Sequence, residues 1–208
     1  MAEPFPREVV EARATQIRFA RVADVLAGTG GRLNAGELAR NARLRHRDDR
    51  DAHRAAHLLV RRVAARLLAV SADDLDLAHR CPGCGSDRHG RPRLVGHDGT
   101  FVSLSHTRGM VAAIAATRPC GIDVERVRAV TAAVRRQVLT AEELRSVGVA
   151  ADPATAFTRI WVAKEAMVKA GLGTLDTAGT WSAPAPPVVR HWSGEATGYV
   201  GAWFVGPT

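Results

Sequence analysis

Between Phe101 and Glu125 the chain is cut by turns into three strand-length runs, and that segment limits the possible folds more than any other. Phe101-Val102-Ser103-Leu104-Ser105-His106 alternates as a half-buried strand, because successive side chains of a strand point to opposite faces. Arg108-Gly109 turns the chain into Met110–Ala116, and Pro119-Cys120-Gly121 punctuates it again before Ile122-Asp123-Val124-Glu125. With 208 residues, 46% of them apolar, the chain has enough apolar surface for one substantial domain or two small lobes. The break near residues 117 to 121 is the expected junction, giving an N-terminal lobe over 1–118 and a C-terminal lobe over 119–208.

The helices announce themselves by period. Ala55, Leu58, Leu59, Val63, Ala64 and Leu67 form an apolar stripe that predicts a long helix from about Asp51 to Val70, with His53 and Arg54 in its first turns. A basic helical stretch is expected over Thr131–Val138, and Thr140 followed by Glu143 has the spacing of a capping box that starts another short helix. A further helix should run from near Thr155 to Gly171 or Gly173, where glycine can take the left-handed cap conformation. Val188–Val189, Trp192, Tyr199–Val200 and Trp203–Val205 predict terminal antiparallel strands, and residues 1–35 a strand and a helix around the Gly28–Gly31 turn.

A net charge of +8 and a pI near 10.8 suit polyanions: nucleic acid, a phosphate-rich cofactor or an acidic protein. Nucleic acid is the weaker choice, since there is no complete zinc finger, RNP-like aromatic pair or long basic helix, and one Tyr with five Phe leaves few rings for base stacking. No segment approaches the roughly 18 apolar residues of a membrane span, so a cytoplasmic location without a membrane partner is expected. Three cysteines, an odd number, fit a reduced compartment. Cys81-x-x-Cys84 with His89 would become a zinc site if Cys120 or His79 supplied a fourth ligand; two packed or mildly redox-sensitive thiols are the favoured alternative.

Of 29 basic residues only Lys164 and Lys169 are lysine, and both lie in Trp161-Val162-Ala163-Lys164-Glu165-Ala166-Met167-Val168-Lys169. In a chain that otherwise uses arginine, Lys169 looks chosen for its compact ammonium on a flexible stem over a rigid fork. On a helix Glu165 and Lys169 share a face. On a strand Asp123 and Glu125 share a face, and two such carboxylates repel unless a cation compensates them. Mg²⁺ suits oxygen ligands of this kind, and Glu165 would be a third. Ser103 and Ser105 next to His106 do not form a hydrolase site, because no nucleophile elbow surrounds them and adjacent strand side chains point apart.

Gly121-Ile122-Asp123-Val124-Glu125 followed some forty residues later by Trp161-x-x-Lys164-Glu165-Ala166-x-x-Lys169 resembles the two diagnostic motifs of the 4'-phosphopantetheinyl transferase superfamily, of the longer single-chain type. The Phe101–Thr107 strand, Gly90-Arg91-Pro92 and Asp51-Ala52-His53-Arg54 resemble weaker features of that family, so the likeness spans about residues 40 to 175. The resemblance implies an α+β fold, a pseudo-twofold pair of similar lobes, each a small antiparallel sheet packed with a long helix, with the active site between them. It implies transfer of 4'-phosphopantetheine from coenzyme A to a serine of an apo acyl or peptidyl carrier protein, releasing adenosine 3',5'-bisphosphate. Such carriers serve fatty-acid, polyketide, nonribosomal peptide and siderophore assembly. By the same likeness Asp123, Glu125 and Glu165 would hold Mg²⁺, or Mn²⁺; Glu165 would take the serine proton; and Lys169 would meet the departing bisphosphate. Arg54, Arg91, Ser105 and His106 would contact coenzyme A, and Lys164 a phosphate or backbone group at the cleft rim, unless it is simply solvated. A monomer is expected. The rivals are a basic nucleic-acid-binding protein whose carboxylate strand is structural, and a non-catalytic coenzyme A or acidic-protein binder on the same fold.

Overall fold

Every residue of the strand Met110–Ala116 is buried, so it has no solvent face, and the two halves of the protein are built against its two sides. In the computed structural model residues 9–11, 14–80, 83, 85–86, 90–185, 188–194 and 198–207 are described. In chain order the strands are β1 (Val9–Glu11), β2 (Thr15–Arg21), β3 (Leu77–Arg80), β4 (Arg91–Leu94), β5 (Phe101–Thr107), β6 (Met110–Ala116), β7 (Cys120–Arg126), β8 (Val189–Gly194) and β9 (Tyr199–Val205). The α-helices are α1 (Val22–Ala27), α2 (Ala35–Ala42), α3 (Arg47–Leu68), α4 (Ala132–Val138), α5 (Ala141–Val149) and α6 (Pro153–Ala170).

Six strands form an antiparallel sheet in the order β1-β2-β6-β5-β4-β3, and three form a second in the order β7-β9-β8. Period-two alternation gives the first sheet two apolar faces. Val111, Ala113 and Ala115 pack with Val102 against Leu59, Val63 and Ala64 of α3. Met110, Ala112 and Ile114 pack with Ile17 and Phe19 against Ile122, Val124, Trp192 and Trp203 of the second sheet. Val162, Ala163 and Ala166 of α6 then cover Val189, Val200, Ala202 and Phe204. The result is two α+β lobes, each an antiparallel sheet packed with helices, consistent with a pseudo-twofold pair. Among the described residues no helix is long and apolar enough to cross a membrane.

α3 begins a turn earlier than its apolar stripe suggested, since Asp48 and Asp49 occupy its first turn, where carboxylates meet the positive end of the helix dipole. Consequently Arg54 lies about two turns inside α3 and is exposed there. The capping box is present: Thr140 accepts from Glu143 N, and the Glu143 carboxylate from Thr140 N. α6 starts at Pro153 behind Asp152, whose side chain accepts from the N–H groups of Ala154 and Thr155, and ends at Gly171 with φ 102°. Among its described residues the segment expected as one strand and one helix over 1–35 holds two strands and α1, with α2 opening at its end. Cys81, Cys84 and His89, on which the zinc reading turns, lie outside the described residues. Cys120 is buried, donates to Phe101 O at 3.5 Å, and its thiol is pushed up to about 12 by desolvation, as befits a packed residue.

Candidate active site

The two motif-bearing elements meet because one residue has no side chain. Gly121 belongs to β7 and is more than the turn punctuation its neighbours suggested: a Cβ there would overlap Ala166 O and come within 2.7 Å of Ala170 N. α6 therefore lies directly on β7, on the face that carries Asp123 and Glu125. That approach delivers Lys169, whose Nζ donates to Asp123 Oδ1 at 2.6 Å.

Asp123 is 3% exposed. Its Oδ1 also accepts the Ser105 hydroxyl at 2.6 Å, while its buried Oδ2 has no hydrogen-bond partner. A buried carboxylate oxygen without a donor is costly, and its chemistry suits a hard cation. Glu125 and Glu165 reinforce this. Desolvation raises the Glu165 pKa to about 7, with the Asp123 charge next, Lys169 opposing and Glu125 adding. Desolvation followed by Asp123 raises Glu125 as well. The Asp123 charge thus reaches both glutamates, and Glu125 in turn adds to the shift of Glu165. Among the described residues, however, no group of three or more His, Cys, Asp or Glu side chains is drawn close enough to hold a metal ion. The donor chemistry fits a hard divalent ion; the side chains are not gathered around one, and Lys169 serves as the counter-ion of Asp123.

The other expected contacts divide. His106 lines a cavity of about 800 Å³ with Asp49, Arg108, Glu125, Arg126 and Arg128. Desolvation, then the proximity of His57 and Lys169, lowers the pKa of His106. Lys169 and Arg91 share a second cavity of about 320 Å³ with Arg93 and His97. The Arg91 guanidinium rests against Gly171 at the C-terminal end of α6, where the helix dipole favours a cation. Glu125 also lines a smaller pocket of about 150 Å³ with Trp161, Val134 and Phe157.

Lys164 is not at the cleft rim. It is fully buried, and its Nζ donates to Glu143 Oε2, Val138 O and Ala178 O at 2.6, 2.9 and 2.8 Å. The physical reason is angular: one residue before Glu165 is about 100° round the helix, which turns Lys164 toward α5 and away from β7. Ser105 also departs from a free phosphate contact, since its hydroxyl is already held by Asp123 and by Val124 N. Sequence reasoning missed a buried cluster near His106. Glu37 accepts Arg61 Nη1 and Nη2 at 2.8 and 2.7 Å and pairs with His57 Nδ1 at 2.6 Å. The His57 ring lies tilted against His53, with centroids 4.2 Å apart, and His53 meets His106 edge-on. The available signal was the recurrence of His53 and His57 four residues apart.

Comparison with known families bears on the second of these halves. Residues 119–183 are similar to the 4'-phosphopantetheinyl transferase superfamily. The match contains Gly121, Asp123, Glu125, Glu165 and Lys169 and covers less than half of the chain. No curated protein matches it.

Proposed function

We propose that the protein transfers the 4'-phosphopantetheine group of coenzyme A to a serine of an apo acyl or peptidyl carrier protein. The observation that carries this reading is the buried, unpartnered Asp123 Oδ2 amid mutually repelling Glu125 and Glu165, inside a segment similar to that superfamily. In this reading the C-terminal lobe over 119–208 supplies the acidic and catalytic residues, and the lobe over 1–118 supplies contacts to coenzyme A. Asp123, Glu125 and Glu165 would hold Mg²⁺, with Mn²⁺ as a substitute, and the ion would supply neutralisation of pyrophosphate charge.

The chain's own residues do the rest. A serine hydroxyl is a weak nucleophile whose proton leaves to a base already in position. Glu165, whose pKa desolvation raises to about 7, is a stronger base than an ordinary carboxylate. The new bond joins the serine oxygen to the phosphorus that carries pantetheine, the bond to the adenosine bisphosphate oxygen breaks, and the serine proton passes to Glu165. Lys169, which donates to Asp123 Oδ1, would release it and meet the charge that develops on the leaving bisphosphate. His106, whose pKa is lowered, contacts phosphate as a neutral hydrogen-bonding group until phosphate charge draws a proton onto it. Arg91 and the arginines around the larger cavity add permanent positive charge, which also steers acidic carriers.

The test is intact-mass measurement of an apo carrier incubated with the protein, coenzyme A and Mg²⁺. The carrier is expected to gain one phosphopantetheine, not after chelation, and not with Glu165→Gln at a comparable rate. Equal modification in EDTA, or by the Gln variant, would refute the assignment.

A further inference from the structure

Ser103, Ser105 and Thr107 are alternate residues of β5 and lie on the side of that strand that looks at β7. Their hydroxyls run in register with it. Ser103 Oγ accepts Ile122 N at 3.3 Å and Ser105 Oγ accepts Val124 N at 3.3 Å. β7 pairs with β9 along one edge only, so these two N–H groups on its other edge are closed by side chains of the first sheet. Thr107, one step further along, hydrogen-bonds Glu125.

Ser105 does one thing that Ser103 does not. Its hydroxyl has a single hydrogen, and that hydrogen goes to Asp123 Oδ1 at 2.6 Å. A phosphate offers acceptors, so Ser105 cannot donate to one without releasing Asp123. The bond also fixes which carboxylate oxygen is spent and which is left bare: Oδ1 carries Ser105 and Lys169, and Oδ2 is buried with no partner.

From this geometry we infer that Ser105 is a positioning residue, which orients the Asp123 carboxylate so that Oδ2 is presented to the divalent ion. The inference rests on the metal-dependent reading above and deepens it. A hydroxyl from one lobe aims a ligand in the other, so the relative placement of the two sheets enters the metal affinity directly. Residues that hold a metal ligand in place typically contribute about 10- to 100-fold to affinity.

Titration of the full chain with Mn²⁺ alone, followed by electron paramagnetic resonance of the free ion, tests this without reference to turnover. Ser105→Ala is expected to weaken Mn²⁺ binding about 10-fold or more. Ser103→Ala is the control: it removes the same kind of strand-edge bond, to Ile122 N, and should leave Mn²⁺ affinity as in the parent. Should Ser105→Ala fail to fold by circular dichroism, Ser105→Cys keeps a similar shape with a much weaker donor and gives the same readout. Unchanged Mn²⁺ affinity with a raised KM for coenzyme A would overturn the inference and make Ser105 a phosphate ligand. Equal losses in the Ser103 and Ser105 variants would overturn it in favour of simple strand stitching. A parent protein that binds no Mn²⁺ would instead remove the metal-dependent reading, and the role of Ser105 with it.

Discussion

Replacing Lys164 with Met should cost more stability than almost any other single change in the C-terminal half, although the residue does no chemistry. All three ammonium hydrogens are used, on Glu143 Oε2, Val138 O and Ala178 O, and the side chain has no exposure. Methionine keeps the apolar stem and removes the charge. The Glu143 carboxylate, itself buried, is then left with the N–H groups of Thr140 and Ala183. Removing one partner of a buried pair costs roughly 3–5 kcal/mol, because the remaining charge is uncompensated. For a chain of this length each kcal/mol moves the melting midpoint by about 2–4 °C, so Lys164→Met should melt roughly 6–20 °C below the parent. Scanning calorimetry measures it directly. Adding Glu143→Gln removes the stranded charge, so the double variant should lose clearly less than the sum of the two single losses. Lys164→Arg should also destabilise, since it presents a five-donor fork to three acceptors. A midpoint shift under about 3 °C for Lys164→Met, or strict additivity in the double variant, would refute the view that this pair braces α6.

Two further outcomes follow from close contacts and buried titratable groups. Gly121→Ala puts a methyl group into Ala166 O and within 2.7 Å of Ala170 N, so α6 must retreat from β7; overpacking of this kind costs about 1–3 kcal/mol, and a misplacement near 1 Å can cost on the order of 100-fold in rate. Urea denaturation and carrier turnover should show both losses together, and an Ala variant with parental turnover would refute the close-approach explanation. Acid should weaken the N-terminal lobe: desolvation, then His57, lowers His53 to about 4, and desolvation, then Arg40, lowers His79 to about 4. Between their ordinary pKa of 6.5 and about 4 the unfolded chain takes up protons that the folded one refuses, so stability is full above 6.5 and falls as pH drops through that window. Glu37, held near 2 by His57 and Arg61 against its own desolvation, adds to the loss only below 4.5. Urea midpoints that stay constant from pH 7 to 4.5, or an unchanged slope in His53→Asn, would count against this.

What could be read from the chain without coordinates was local. The alternation of Phe101–His106, the cap at Gly171 and the Thr140–Glu143 box each depend on a few neighbouring residues, and each element formed where those residues placed it. What could not be read was long-range. Arg61 is 24 residues from Glu37, Lys164 is 21 from Glu143, and nothing in the periodicity of either segment marks them as pairs. Gly121 is instructive because its type was noticed and its reason was not: next to Pro119 it looks like part of a turn, whereas inside β7 it is the gap into which the α6 backbone fits. Ser105 likewise stood beside His106 as a phosphate contact until the strand's alternation turned the two side chains to different partners, Asp123 for one and the cavity for the other.

The two lysines carry the same lesson further. Their rarity is visible in the composition, where it marks Lys169 as a place for an ammonium; the structure extends the reason to Lys164. Coordinates separate them into a fully buried brace and a part-exposed partner of Asp123, with 29% of the Lys169 side chain accessible. The shared reason survives that separation. At 164 three acceptors surround one point, and at 169 a single carboxylate oxygen already bonded to Ser105 leaves room for one more donor. Each place suits a compact ammonium better than a planar fork built to grip two oxygens at once. A composition that avoids lysine therefore marks, by its two exceptions, one residue that braces α6 against α5 and one that pairs with Asp123 at the inner face of α6.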